Sequence, residues 1–352
     1  MKKLFLVDAY ALIFKYYYAF MGRPMRNRAG MNTSVVFGFT KFLRDIQKRE
    51  HPDLLGVAFD PKGGSFRREI FPEYKANRAE TPEDILLSVP YVKRIVEAMC
   101  IPVLEVPGYE ADDVIGTLAY KGVEAGYDVF MVTPDKDYGQ LVCDNCKIYK
   151  QKGNDGIEIV GREAIREKYG IENPQLVRDI LALWGDASDN IPGVPGIGEK
   201  TALALISKFG SLQGVYDNIE DKAVKPGQRA KLTANRDKAD LSYMLGTIRK
   251  DAPIESDPAA YVRQPGDPAA AAQLLAALEM HKMVARWGLE EGSAPAAADT
   301  APLETVEPSP LPLLLEGRFY AAQSASKEGD SAWYLVQGKD VYLPDADRLA
   351  AI

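Results

Sequence analysis

Phe130-Met-Val-Thr-Pro-Asp135-Lys-Asp137 is a short apolar run that ends on two aspartates. The same shape occurs twice earlier, in Leu4-Phe-Leu-Val-Asp8 and in Gly56-Val-Ala-Phe-Asp60. Runs this short, bounded by turn residues, read as strands, and the stretches between them carry helical periods. Strands at 4–7, 54–59, 102–106 and 128–133 alternate with helices. One helix runs through Val35, Phe39, Phe42 and Ile46, one through Ile85, Val89, Val92, Val96 and Met99, and one over 111–125. Thr81-Pro-Glu-Asp84 reads as the cap that opens the second of these. Such alternation predicts an α/β fold with a parallel sheet. In an open sheet of that kind the carboxyl ends of the strands line one crevice, so Asp8, Asp60, Asp135 and Asp137 are expected to meet there.

Two further acidic groups join them. Glu110-Ala-Asp112-Asp113 sits where a loop enters a helix, and Asp186 and Asp189, three apart at a helix end, share a side. Each piece alone has a plainer reading: a strand-end aspartate is often a cap, and an acidic first turn suits the helix dipole. Nine acids converging on one crevice would repel one another severely unless cations neutralised them. The chain has only two histidines, His51 and His281, so Ser-His-Asp chemistry and histidine-rich zinc sites are excluded. Carboxylates must carry any chemistry, and they favour hard ions, Mg²⁺ or Mn²⁺. There are three cysteines, which fits a reducing compartment. Cys143 and Cys146 form a lone CxxC that lacks the further ligands of a zinc site and reads as two incidental thiols.

The 352 residues allow two domains. A net charge of −7 looks unsuited to a nucleic-acid binder, but residues 299–352 contribute −5 of it, and the rest includes the nine acids. Ions in that cluster would reverse the local field. The basic and aromatic stretch from Lys62 to Arg78 has neither a helix nor a strand period. From about residue 160 helices with Gly/Pro punctuation take over: 176–183, a tight loop Ile191-Pro-Gly-Val-Pro-Gly-Ile-Gly198, and 199–209. A basic segment, 225–250, and an Ala/Leu-rich helix, 268–287, follow. Residues 291–310 read as a linker, and 311–352 as a strand-like segment too short to stand alone. No apolar run reaches the length of a membrane span, and Asp8 interrupts the first one too soon for a secretory segment. A cytoplasmic protein with no membrane partner is expected.

Taken in order, these motifs resemble those of the 5′ nuclease family: Val7-Asp8-Ala9, Ala58-Phe59-Asp60, Gly108-Tyr-Glu110-Ala-Asp112-Asp113-Val-Ile-Gly116, Thr133-Pro-Asp135-Lys-Asp137 and Gly185-Asp186-Ala-Ser-Asp189 with its glycine loop to Thr201. The family includes the N-terminal domain of bacterial DNA polymerase I, the nearest in pattern, as well as phage 5′ nucleases and flap endonucleases. Ala9 and Pro134 stand where the family often has glycine. The resemblance covers residues 1 to about 290. It implies a parallel-sheet nuclease core over 1–170 with an arch at 62–80. It also implies a helical DNA-binding half with a helix–hairpin–helix over 171–290, and a truncated start of a 3′–5′ exonuclease-like domain over 311–352, with no polymerase segment.

The resemblance further implies two metal sites. Asp8, Asp60, Glu110, Asp112 and Asp113 would serve one, some through water, and Asp135, Asp137, Asp186 and Asp189 the other. Two ions about 4 Å apart activate water and clamp the scissile phosphate. Lys75, Arg78 and Lys15 match basic residues near the reacting phosphate. Arg67 and Arg68 are expected to hold phosphates, and Phe71 and Tyr74 to stack on unpaired bases in the 5′ strand. Tyr16, Tyr17 and Tyr18 divide between stacking and core packing. Gly193, Gly196, Gly198 and Lys200 would bind duplex backbone, with K⁺ expected at the loop carbonyls. The expected substrates are 5′ flaps, nicks, gaps and RNA primers on DNA, cut in replication and repair near the nucleoid. Two rivals stand against this: a single-strand ribonuclease of the acidic-cluster type, and a non-catalytic binder of branched DNA.

Overall fold

The computed structural model describes residues 1–153 and 156–289, together with the backbone of four strands between 309 and 343. Six strands form one sheet: β1 (Lys3–Asp8), β2 (Leu54–Ala58), β3 (Val103–Leu104), β4 (Asp128–Val132), β5 (Cys146–Lys152) and β6 (Gly156–Val160). Their order is β3-β2-β1-β4-β5-β6, parallel throughout except for β6, which returns antiparallel to β5. The chain starts in the middle of the sheet, builds outward to β3, then crosses to β4. The direction of winding therefore changes between β1 and β4, the place where an open α/β sheet leaves a crevice.

β1 is buried on both faces, so it reads as a continuous apolar run rather than an alternating one. The pleat sends Phe5 and Val7 into one core layer and Leu4 and Leu6 into the other. The first layer packs α1 (Ala9–Phe20), α2 (Ser34–Glu50) and, beyond the short α3 (Phe66–Ile70), α4 (Glu83–Ala98). The second layer begins with α5 (Ala111–Glu124) and continues through a helical region. That region consists of α6 (Arg162–Tyr169), α7 (Val177–Trp184), α8 (Glu199–Phe209), α9 (Leu212–Asp217), α10 (Pro226–Ala234) and α11 (Arg236–Gly246). The last two helices, α12 (Pro268–Ala277) and α13 (His281–Trp287), return to the first layer.

Three elements differ from the sequence reading. The α4 helix is capped at Pro82 rather than Thr81, with no side-chain cap: Pro82 is extended, with ψ 139°, so the helix begins only at Glu83. The helix expected over 268–287 is broken: Glu279 takes a left-handed φ of 61° and Met280 N–H bonds back to the Leu275 carbonyl. The β5–β6 hairpin was not anticipated. The expected linker lies mostly outside the described residues, and so does much of 311–352. Met1–Gly292 forms one compact unit and Ser293–Ile352 another. Within the second, β7 (Ser309–Pro310), β8 (Tyr320–Ala325), β9 (Ser331–Gln337) and β10 (Asp340–Leu343) form a sheet in the order β7-β10-β9-β8.

Gly38 lets α1 and α2 touch: a Cβ there would stand 2.4 Å from the ring of buried Tyr16. Gly38→Ala should therefore destabilise the fold by about 1–3 kcal/mol, the usual cost of overpacking. Urea denaturation followed by circular dichroism measures it, and an unchanged midpoint would show that the tyrosine gives way freely.

Candidate active site

Register brings the strand-end acids together. Asp8 closes β1 level with Ala58, so Asp60 lies two residues beyond, and Val7 is level with Val132, so Asp135 lies equally far along β4. Asp8 is buried and held on all sides: Oδ1 accepts the Ala11 N–H, and Oδ2 accepts the hydroxyls of Thr133 and Tyr138. Asp60 Oδ1 accepts the Ala111 N–H at 2.8 Å, which ties β2 to the start of α5. Asp135 Oδ1 accepts the Asp137 N–H. Asp137 Oδ1 is buried with no hydrogen-bond partner.

Burial, and then the neighbouring Asp60, push the Asp8 carboxyl up to about 7. Burial and Asp135 push Asp137 up to about 8. Burial also raises Asp60 and Asp135, and raises Asp112 well above the carboxylate range with Asp113 adding to it. Asp8 feels Asp135, and Asp135 feels Asp189, so the two groups of acids separated in the sequence reading form one electrostatic cluster.

Cations occupy the remaining acids. Lys75 Nζ is 2.5 Å from Glu110 and 3.7 Å from Asp189, and Arg78 pairs with Asp189. Lys136 pairs with Asp186 at 2.8 Å. Burial opposes ionisation of Glu110, but Lys75 and Arg67 outweigh it and hold the carboxyl low. Asp186 is likewise held low against its burial by Lys136 and Ser188. Among the described residues no three of these acids surround one coordination centre. The donors are nonetheless all oxygen, and the orphaned Asp137 oxygen and raised carboxyls fit a site for hard divalent ions.

Several expected roles are corrected. Arg67 is 1% exposed and cannot hold a phosphate: its guanidinium makes two bonds to Asp113, at 2.6 and 2.8 Å, and reaches the carbonyls of Leu245 and Thr247. Asp113 also accepts the N–H groups of Glu110 and Arg249, so both its oxygens are spent and it is no direct metal ligand. Tyr74 is buried against Ile191 and Leu245, with its hydroxyl on Glu110 and Asp189, and offers no stacking face. Lys15 turns to the β5–β6 hairpin, where Nζ donates to the Gln151 carbonyl and Lys150 is the charge that acts on it. The expected arch is folded down: Lys75 N–H bonds to Asp189, Asn77 to Ala187, and Asn190 to Glu73.

Gly193 is buried with its N–H on Ser242, and a Cβ there would meet the backbone of Gly185 at 2.5 Å. Its task is close packing against the end of α7. Lys231 Nζ donates to the Gly196 carbonyl, so an ammonium stands where K⁺ was expected. Gly198 caps α8 in open space, and Lys200 and Arg68 are exposed. Sequence reasoning missed Ser65, whose hydroxyl donates to Glu110, as well as Thr133, Lys136 and Tyr138. Lys136 and Tyr138 carried a signal, since they lie inside or beside the Asp135–Asp137 motif.

Two family models match the chain: the N-terminal resolvase-like domain of 5'-3' exonucleases over residues 3–170, and their C-terminal SAM fold over 172–269. The chain is 41% identical over 258 residues to DNA polymerase I of Bacillus caldotenax, a match covering 72% of this chain and 29% of that protein. It is 39% identical over 294 residues to the thermostable DNA polymerase I of Thermus thermophilus, covering 83% and 34%. It thus spans about a third of the length of these relatives. Among solved structures it is similar to T5 5'-exonuclease with bound divalent zinc ions, with TM-score 0.57, 22% identity, and 78% and 99% of the two chains covered. It is also similar to the catalytic core of Rad2 in complex with DNA substrate, with TM-score 0.54, 19% identity, and 81% and 91% covered. At those identities the structures establish the fold.

Two predictions follow from the charges. Arg67→Met strands a buried carboxylate and should cost about 3–5 kcal/mol, while Asp8 and Asp60 keep their own bonds. Chemical denaturation checks it, and a loss below about 1 kcal/mol would mean that Asp113 is solvated. The folded-state carboxyls of Asp8 and Asp137 lie above their ordinary 3.8, so the metal-free fold should lose stability as pH rises from about 4 to about 8. Divalent ions must displace those protons, so their affinity should rise over the same upper range and level off above about pH 8. Calorimetry in buffers of different ionisation enthalpy reads the released protons. Equal affinity at about pH 6 and about pH 9 would refute the raised values.

Proposed function

The chain belongs to the 5'-3' exonuclease family, and from that premise we propose that it hydrolyses DNA phosphodiesters from 5′ ends and at 5′ flaps, using divalent cations. One observation carries the reading. Asp8, Asp60, Asp135 and Asp137 gather at the switch point of the sheet without an ion pair among the described residues, while Arg67, Lys75, Arg78 and Lys136 pair with the other acids. Those four would hold one ion, and Glu110, Asp112, Asp186 and Asp189 would offer further oxygens to a second ion across the crevice. Bound Mg²⁺ or Mn²⁺ supplies charge neutralisation at the phosphate and a water acidic enough to attack it.

The chain's own residues do the positioning. Tyr138, Thr133 and the Ala11 N–H fix the direction of Asp8, and the Ala111 N–H fixes Asp60. Lys75 and the exposed Arg78 stand at the rim of the crevice, where both can hold the scissile phosphate. The open N-terminus of α8 at Gly198, with Lys200 beside it, suits a backbone phosphate of the duplex and reads no bases. Recognition then follows structure: flaps, nicks, gaps and RNA primers on DNA, as in primer removal and repair of intracellular DNA. Non-catalytic binding of branched DNA is the second reading, favoured by the cations that already neutralise Glu110, Asp186 and Asp189.

A 5′-flap DNA labelled at its 5′ end separates the two. Cleavage is expected with Mg²⁺ and none with EDTA, and Asp137→Asn should lose most of the rate while still binding the flap. Lys75→Ala should slow single-turnover cleavage by about a hundredfold, the worth of one well-placed charged donor. Binding without cleavage would overturn the nuclease reading, and cleavage that persists in EDTA would overturn the role of the acids.

A further inference from the structure

A cavity of about 240 Å³ opens between α2, the end of α4, the 263–268 loop and the pair α12–α13. It lies at the opposite end of the sheet from the acids. Arg263 N–H bonds to the Asp53 carbonyl and Val262 pairs with Leu54, where β2 begins, whereas the acids stand where the strands end. The nuclease reading uses none of its lining residues.

Its chemistry is unlike that of a packing defect. Thr40 lines it at 1% exposure, and its hydroxyl has no hydrogen-bond partner. Arg44 also lines it, with a buried Nε that has no partner. A buried hydroxyl or guanidinium N–H left unmade costs free energy, so such groups mark a place where a ligand or water completes them. The Arg44 guanidinium lies 6.0 Å from the ring centroid of Trp287, and Arg263 adds a second cation. The acid at the wall, Asp267, is already engaged: its Oδ1 accepts the Ala270 N–H as the cap of α12. Leu275 and the indole give the wall an apolar part, and Gln47 and Gln264 add two amides.

We propose that this cavity is a binding site for a small planar organic anion, one aromatic ring bearing one phosphate or carboxylate. Arginine is suited to either group because its planar fork meets two oxygens at once. Trp287 and Leu275 take the ring, and Thr40 donates to the anion or its linking oxygen. The volume is below the range that holds drug-sized ligands, which limits the occupant to about one ring and its anionic group. The inference stands apart from the nuclease reading and survives its failure.

Isothermal titration of the chain in EDTA, so that no ion in the acidic crevice can hold an anion, tests it with phenyl phosphate, benzoate and inorganic phosphate. At least one of the aryl anions should bind at one site, about tenfold or more tighter than inorganic phosphate, and the tighter of the two identifies the anionic group. Thr40→Val, which conserves volume, and Arg44→Met should each weaken that binding by about tenfold or more, whereas Asp137→Asn should leave it unchanged. If Arg44→Met fails to fold, Thr40→Val decides alone. Failure of both aryl anions to saturate, wild-type affinity in Thr40→Val, or loss of binding in Asp137→Asn would overturn the site.

Discussion

Arg67 meets Asp113 where water does not reach, and three parts of the chain are fastened there. The guanidinium comes from α3, the carboxylate from the first turn of α5, and the carbonyls of Leu245 and Thr247 from the end of α11 and beyond. Burying a charge this completely is tolerable only when each donor finds an acceptor, and here the Nε and both terminal nitrogens do. Asp113 then accepts the N–H groups of Glu110 and Arg249, so the wall of acids that precedes it inherits its orientation. A lone arginine in a basic stretch thus becomes the joint between sheet, loop and helical region.

Around that joint the dominant constraint is repulsion among carboxylates. The structure answers it in two ways that divide the acids. Glu110, Asp186 and Asp189 are neutralised by Lys75, Lys136 and Arg78, all drawn from segments that follow a strand or lie over the crevice. Asp8 and Asp137 have no such partner and retain protons to about 7 and about 8 instead. The second group holds its charge deficit in reserve, which is the electrostatic condition for taking up a cation from solution. The apolar contact of Tyr74 with Ile191 and Leu245 keeps the segment carrying Lys75 and Arg78 over the acids.

Local pattern was a good guide where one physical rule acted alone. Strands β1, β2 and β4 are short apolar runs that end on or just before an aspartate. Pattern failed where two rules competed. Thr81 has the side chain of a cap, but Pro82 stays extended and the helix starts one residue too late for Thr81 to cap it. The Ala/Leu run over 268–287 has the composition of one helix, yet Met280 gains more by turning into the core than by continuing it. The β5–β6 hairpin alternates weakly because its outer strand is largely exposed.

The identity and order of the nine acids, and their placement at strand and helix ends, were legible in the residues alone. So was the exclusion of histidine chemistry, because both conclusions depend on residue type and short-range periodicity. Which cation faces which acid was not legible. Arg67, Arg68, Lys75 and Arg78 look alike in a basic stretch, yet one is buried on Asp113, one is exposed, and two pair with acids that lie from 35 to 114 residues away, from Lys75–Glu110 to Lys75–Asp189. Burial and pairing are set by contacts between distant segments. Only the folded chain decides whether a charge is solvated or paired.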